Sequence, residues 1–181
     1  DQALFTDADG GMLAYLSKAG QTWSAADDLG WTADPDRLPA VEDYDGDGLA
    51  DPAWYEPATG DWRVFLRGSE HGEWPTPPPM GAEGDWPVPG DFDGDGAAEP
   101  ALFRMATGHI AVLDGDELVE FEHDGAAVGM PDWLPAVADY DGDGRADYSW
   151  FVPHTQMWRV YESSNGYAER ERAELGTALS L

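Results

Sequence analysis

The chain has 181 residues, 42% hydrophobic and 12% aromatic with nine Trp, so it can bury a core and is not of disordered composition. Its 37 acidic residues against 9 basic ones give a net charge of -28, a surface that repels phosphate backbones and anionic headgroups and argues against nucleic-acid partners and membrane insertion. There is no cysteine, which excludes disulfides and thiolate metal sites, and no stretch approaches the roughly 18 apolar residues of a membrane span.

In chain order, residues 1–5 read as a strand and Ala8-Asp9-Gly10 as a turn. Residues 38–41 predict a short apolar strand, followed by the acidic run Asp43-Tyr44-Asp45-Gly46-Asp47-Gly48. Residues 53–56 predict a second short strand and Thr59-Gly60-Asp61 a turn. Trp62, Val64 and Leu66 alternate with Arg63 and Arg67, the period of two of a half-buried strand. A weaker fourth strand is expected near residues 73–76, where Pro75, Pro77, Pro78 and Pro79 suggest a sheet edge or linker.

The same order then recurs. Asp91-Phe92-Asp93-Gly94-Asp95-Gly96 and Asp139-Tyr140-Asp141-Gly142-Asp143-Gly144 follow the first acidic run at steps of 48 residues (43 to 91, 91 to 139). Leu38-Pro39-Ala40-Val41 is matched by Trp86-Pro87-Val88-Pro89 and Leu134-Pro135-Ala136-Val137. Fourth strands are expected near 118–122 and 167–172, and the charged stretch 168–174 carries the chain's one helix signal. The N-terminal segment joins the series part-way: residues 1–5 align with 51–55, so this unit lacks its first strand and most of its acidic loop.

Three to four strands per unit at this spacing predict an all-β fold, a β-propeller of about four blades. The blades would cover about 1–36, 37–84, 85–132 and 133–176 of a single repeat domain, with 177–181 supplying the missing strand of the first. A closed four-bladed ring is the leading arrangement; part of a larger ring, or an oligomer sharing blades, are the alternatives.

The acidic loops point to calcium. Calcium takes six to eight oxygen ligands from a flexible loop, and aspartates at positions one, three and five surround one centre. The first loop offers Asp43, Asp45, Asp47, the Leu49 carbonyl and Asp51. The second offers Asp91, Asp93, Asp95, the Ala97 carbonyl and Glu99; the third offers Asp139, Asp141, Asp143, the Arg145 carbonyl and Asp147. About three ions per chain are expected. Asp-Gly runs also form ordinary turns, but four carboxylates within nine residues repel one another unless a cation joins them. An EF-hand is excluded, because position twelve holds Trp54, Leu102 or Trp150 where a bidentate Glu belongs.

The pattern Asp-x-Asp-Gly-Asp-Gly-x-x-Asp/Glu between two short strands resembles the FG-GAP/VCBS-type repeat, which includes the calcium loops of integrin α-subunit propellers. The resemblance covers essentially the whole chain. It implies a propeller with calcium between the first and second strands of each blade, metals that are mostly structural, and ligand binding elsewhere. Two departures stand out: the first unit keeps only Asp1 of its loop, and four units are fewer than the seven or so usual for the family.

No catalytic constellation stands apart from the repeat. There is no Gly-x-Ser-x-Gly elbow, and no acid pair has an apolar setting outside the loops. His71, His109, His123 and His154 fall at different places in their units and read as surface residues. Trp54, Trp62, Trp150 and Trp158 recur at strand positions and read as core, whereas Trp23, Trp31, Trp74, Trp86 and Trp133 lie in connectors, where they either pack between blades or anchor a ligand. The chain is therefore expected to be a non-enzymatic extracellular module, secreted or on a cell surface, for protein interaction, adhesion or assembly, and able to form homo-oligomers. The alternatives are a calcium-dependent lectin with Trp-lined glycan sites and an accessory domain of a larger secreted protein.

Overall fold

The computed structural model describes residues 2–5, 12–16, 21–24, 36–66, 72–73, 77–121, 134–153 and 156–172. The described residues form an all-β chain; the sole helical element among them is the 3-10 turn Ser163–Asn165. No helix among them is long and apolar enough to cross a membrane. The chain divides into two compact units, Asp1–Glu83 and Gly84–Leu181.

The first unit holds two sheets. Strands β1 (Gln2–Phe5), β2 (Met12–Leu16) and β3 (Gln21–Ser24) form a three-stranded antiparallel sheet. Strands β4 (Leu38–Pro39), β5 (Ala53–Glu56), β6 (Asp61–Leu66) and β7 (Gly72–Glu73) form a four-stranded one in chain order. The second unit repeats the four-stranded pattern twice. One sheet has β8 (Trp86–Pro87), β9 (Ala101–Arg104), β10 (His109–Asp114) and β11 (Glu117–Phe121); the other has β12 (Leu134–Ala138), β13 (Asp147–Val152), β14 (Met157–Glu162) and β15 (Ala168–Arg172). Each sheet is open, with consecutive strands as neighbours.

The sequence period is reproduced in the strand register. Leu38 faces Tyr55, Trp86 faces Phe103 and Leu134 faces Phe151. Trp54 faces Arg63, Leu102 faces Ala111 and Trp150 faces Arg159. In the N-terminal sheet Leu4 faces Leu13, the same pairing displaced by 50 residues from Trp54 and Arg63. That sheet begins where the other three have their second strand, as the alignment of residues 1–5 with 51–55 requires. Pro39, Pro87 and Pro135 all lie in first strands, which are sheet edges where a missing N–H leaves no ladder bond unmade. Residues 177–181, assigned to close the first unit, lie outside the described residues.

Residues 168–172 carry both a fourth-strand expectation and a helix signal, and the strand forms: they are β15, antiparallel to β14, with Glu162 opposite Ala168 and Arg159 opposite Glu171. The cause is the tight turn before it. Gly166 at φ 70° and Tyr167 at φ 61° reverse the chain, and the Tyr167 N–H donates to the Glu162 carbonyl at 2.9 Å. That brings the next residues alongside β14, and ladder pairing outweighs a weak helix propensity.

The core of the second unit lies between its two sheets. Phe103, Ile110 and Val112 from one meet Tyr148, Trp150, Val152 and Tyr161 from the other, all nearly inaccessible. Phe103 and Trp150 pack with ring centroids 4.5 Å apart. Such aromatic pairs add about 0.5–1.5 kcal/mol beyond the area they bury. In the first unit the alternation of β6 places Trp62 and Val64 inward, with the Trp62 ring 5.4 Å from that of Tyr55. Strand β10 departs from alternation, since Ile110, Ala111, Val112 and Leu113 are all buried. These packed sheets fix the strand ends from which the acidic loops spring.

Candidate metal loops

Each acidic loop joins a first strand to a second strand: loop 1 spans residues 43–51, loop 2 spans 91–99 and loop 3 spans 139–147. Its base is closed by a strand-like pair. Glu42 faces Asp51, Gly90 faces Glu99 and Ala138 faces Asp147.

The first aspartate organises the turn. One oxygen of Asp43 accepts the Gly46 N–H at 2.8 Å and the other accepts the Gly48 N–H at 2.7 Å. Asp91 holds Gly94 and Gly96 at 2.6 and 2.9 Å, and Asp139 holds Gly142 and Gly144 at 2.6 and 3.0 Å. The glycines at positions four and six are all left-handed, with φ between 72° and 97°. A side chain there would strain the backbone, which explains why both positions are glycine in all three copies. The third and fifth aspartates form smaller turns of their own, as Asp93 does with the Asp95 N–H at 2.9 Å and Asp95 with the Ala97 N–H at 2.8 Å.

The ninth residue closes the ring. Asp51 accepts the Tyr44 N–H at 3.0 Å, Glu99 the Phe92 N–H at 2.7 Å and Asp147 the Tyr140 N–H at 2.8 Å. Asp51 and Asp147 are completely buried. The longer Glu99 side chain is only partly buried, yet its carboxyl is pushed up to about 7. Burial is the main cause, the Phe92 amide opposes it, and the Asp93 and Asp91 charges add to it. This perturbed acid is a member of the loop itself.

The carboxylates converge. In loop 2, oxygens of Asp91, Asp93, Asp95 and Glu99 lie within 4.8 Å of one another. In loop 1 the converging set is Asp43, Asp45 and Asp51, and in loop 3 it is Asp139, Asp141 and Asp147. Asp47 and Asp143 stand outside these sets and accept the N–H groups of Leu49 and Arg145 at 2.8 and 2.9 Å. At such separations two charges repel by about 1 kcal/mol in bulk water and by several at the lower effective dielectric of a protein surface. The donor set is all oxygen and fits a hard divalent cation; it does not suit zinc or copper.

Two serines that the sequence reading passed over bear on loop 3. The Ser163 N–H donates to the second oxygen of Asp147 at 2.7 Å, its hydroxyl donates to Asp143 at 2.7 Å, and the Ser164 hydroxyl donates to Asp141. The repeat carries no signal for them, since the positions 48 residues earlier are Gly115 and Asp116, which cannot offer hydroxyls. Of the other residues singled out, Trp54, Trp62 and Trp150 are buried as expected and Trp158 partly so. Trp86 is 48% exposed. The side chains of Trp23, Trp31, Trp74 and Trp133 and the residues His71, His123 and His154 lie outside what is described, and His109 stands 4.0 Å from Glu120.

No family model, no curated protein and no solved structure matches the chain.

Proposed function

We propose that the chain is a calcium-stabilised β-propeller of FG-GAP/VCBS type, serving outside the cytoplasm as a non-enzymatic module for protein interaction or assembly. The observation that carries this reading is the convergence of carboxylate oxygens to within 4.8 Å in three loops at one repeated place between first and second strands. Calcium fits better than magnesium, because a loop of flexible carboxylates tolerates irregular coordination whereas magnesium demands a near-ideal octahedron. The ions would be held by Asp43, Asp45 and Asp51, by Asp91, Asp93, Asp95 and Glu99, and by Asp139, Asp141 and Asp147. Their role is linkage to folding: each ion binds only where a formed sheet has brought the loop ends together. Extracellular modules bind calcium with dissociation constants of about 10⁻⁴–10⁻³ M, a range that suits extracellular calcium and would leave the loops empty in a cytosol.

At calcium ten times the dissociation constant each site adds about 1.4 kcal/mol. Three such sites raise the melting temperature of a chain this size by roughly 10 °C. Thermal unfolding in chelator and in millimolar calcium, with bound ions counted by calorimetry, tests the proposal. A rise of that order with three ions supports it; no shift and no bound ion overturns it.

The exposed Trp86 favours one second reading, a calcium-dependent lectin in which that indole stacks on the apolar face of a sugar. A glycan array with the wild-type chain and Trp86→Ala decides it: glycan binding lost in the variant supports a lectin, and an array without signal excludes one.

A further inference from the structure

Loops 2 and 3 share a seam within the second unit. The Ala146 N–H donates to the carbonyl of Asp91 at 2.5 Å, joining the residue before the closing acid of loop 3 to the first acid of loop 2. The seam is close-packed. A Cβ placed on Gly90 would come within 2.8 Å of Val137 Cγ1 and 2.9 Å of Ala146 Cβ. Gly90 is also the base of loop 2, exchanging backbone hydrogen bonds with Glu99 at 3.3 and 2.9 Å. The equivalent positions in the other loops are Glu42 and Ala138, so glycine here is not part of the repeat and answers to this contact.

Two further side chains cross the seam. The stem of Arg145 lies over the turn of loop 2, where a Cβ on Gly94 would meet its Cγ at 3.0 Å and its Nε at 3.2 Å. Tyr167, held at φ 61°, packs its ring 4.9 Å from both Phe121 and Tyr148 and donates its hydroxyl to the Ala146 carbonyl at 3.3 Å. One peptide plane thus bonds to loop 2 through its N–H, while the next carbonyl is braced by the tyrosine. The Tyr167 hydroxyl is pushed up to about 12, first by burial and then by Asp147, with Asp143 and Glu99 adding and Arg145 opposing.

We propose that loops 2 and 3 take up their two cations with positive cooperativity, the Ala146–Asp91 bond and the Gly90 contact passing the order of one loop to the other. This rests on the reading of both loops as calcium sites. An ion in loop 2 draws Asp91 inward and fixes its backbone. That fixes Ala146, the neighbour of Asp147, so the second ion orders less chain than the first. An opposing effect exists, since the first ion weakens the negative potential that attracts the second. It acts through the acids of both loops, of which Asp93, Asp95, Asp139 and Asp141 are exposed, Asp91 and Glu99 part-buried and Asp147 buried, and added salt weakens it. The seam acts by contact and is not screened, so added salt sharpens the cooperativity.

Calcium titration of the whole chain, followed by the amide resonances of Gly94 and Gly142, reads the two loops separately, because each N–H bonds the first acid of its own loop. Asp93→Asn with Asp95→Asn disables loop 2 through exposed side chains. We expect the Gly142 midpoint then to move to at least about fivefold higher calcium. Gly90→Ala keeps every proposed ligand, yet should shift the midpoint the same way; if it fails to fold, Arg145→Ala replaces it. An unmoved Gly142 midpoint in the loop 2 variant overturns the coupling while leaving both sites standing. Neither glycine responding to calcium in the wild type overturns the sites themselves, and the coupling with them.

Discussion

Loop 2 and loop 3 share one backbone and differ in how their acids are held. In loop 2 all four carboxylates converge and the closing Glu99 is partly exposed, anchored by the Phe92 amide. In loop 3 three converge, the closing Asp147 is wholly buried with both oxygens hydrogen-bonded, and Asp143 is drawn to the Ser163 hydroxyl. The repeat therefore fixes where the carboxylates are, while the neighbouring hairpin decides how much of their charge is answered by protein and how much is left for a cation. Loop 3 is the more preorganised site and loop 2 the more strongly charged one.

The largest consequence concerns stability without metal. Asp147→Ala removes two hydrogen bonds to a buried carboxylate and leaves the Tyr140 and Ser163 amides without their acceptor. The expected loss is about 3 kcal/mol in chelator, since bonds to charged groups are worth about 1.5–3 kcal/mol each. Glu99→Ala removes one such bond together with an ionised group that burial disfavours, so its loss should be under half as large. Denaturant unfolding of the two variants beside the wild type measures the difference. Equal losses would mean that the hairpin does not support loop 3.

A smaller effect separates the loops by affinity. Ser163→Ala frees Asp143 from its hydroxyl partner while leaving the backbone donor to Asp147 in place. Partners that orient a metal's ligands are worth about 10–100-fold in affinity, and the low end, about tenfold, is the expected loss where Asp143, outside the converging set, turns in as a fourth ligand when the ion binds. Calcium titration should show the loss at Gly142. A shift as small as twofold would mean that Asp143 plays no part in loop 3 and that three carboxylates suffice.

Much of this was legible in the sequence, for a physical reason. Strand order, register and loop position follow from elements that recur every 48 residues, because each unit must bury the same face with the same pairing. The aspartates and left-handed glycines were legible because the turn tolerates little else. What was missed is non-periodic. Ser163 and Ser164 reach loop 3 from a hairpin 20 and 23 residues beyond Asp143 and Asp141, a distance no local pattern spans. Gly90 carries no mark in the sequence, and only its contact with Val137 and Ala146 gives it a purpose. The stretch 168–172 carries a strand expectation from the repeat beside a weak helix signal, and hairpin geometry decides for the strand.

A further expected effect is in pH, and it sharpens the contrast at Glu99. Its carboxyl lies near 7 in the folded chain against an ordinary value of 4.5, so the folded state binds a proton more tightly than the unfolded one. In chelator, the second unit should therefore gain stability as pH falls from 8 through 7, with the gain complete by about 4.5, before general acid unfolding intervenes. Glu99→Gln should remove this dependence. With calcium present the sign reverses for binding, because the proton and the ion compete for one carboxylate: the Gly94 midpoint should move to higher calcium as pH is lowered through 7. A Gly94 midpoint independent of pH between 8 and 6 would place Glu99 outside the coordination of loop 2, leaving that loop with three acids, as in loop 3.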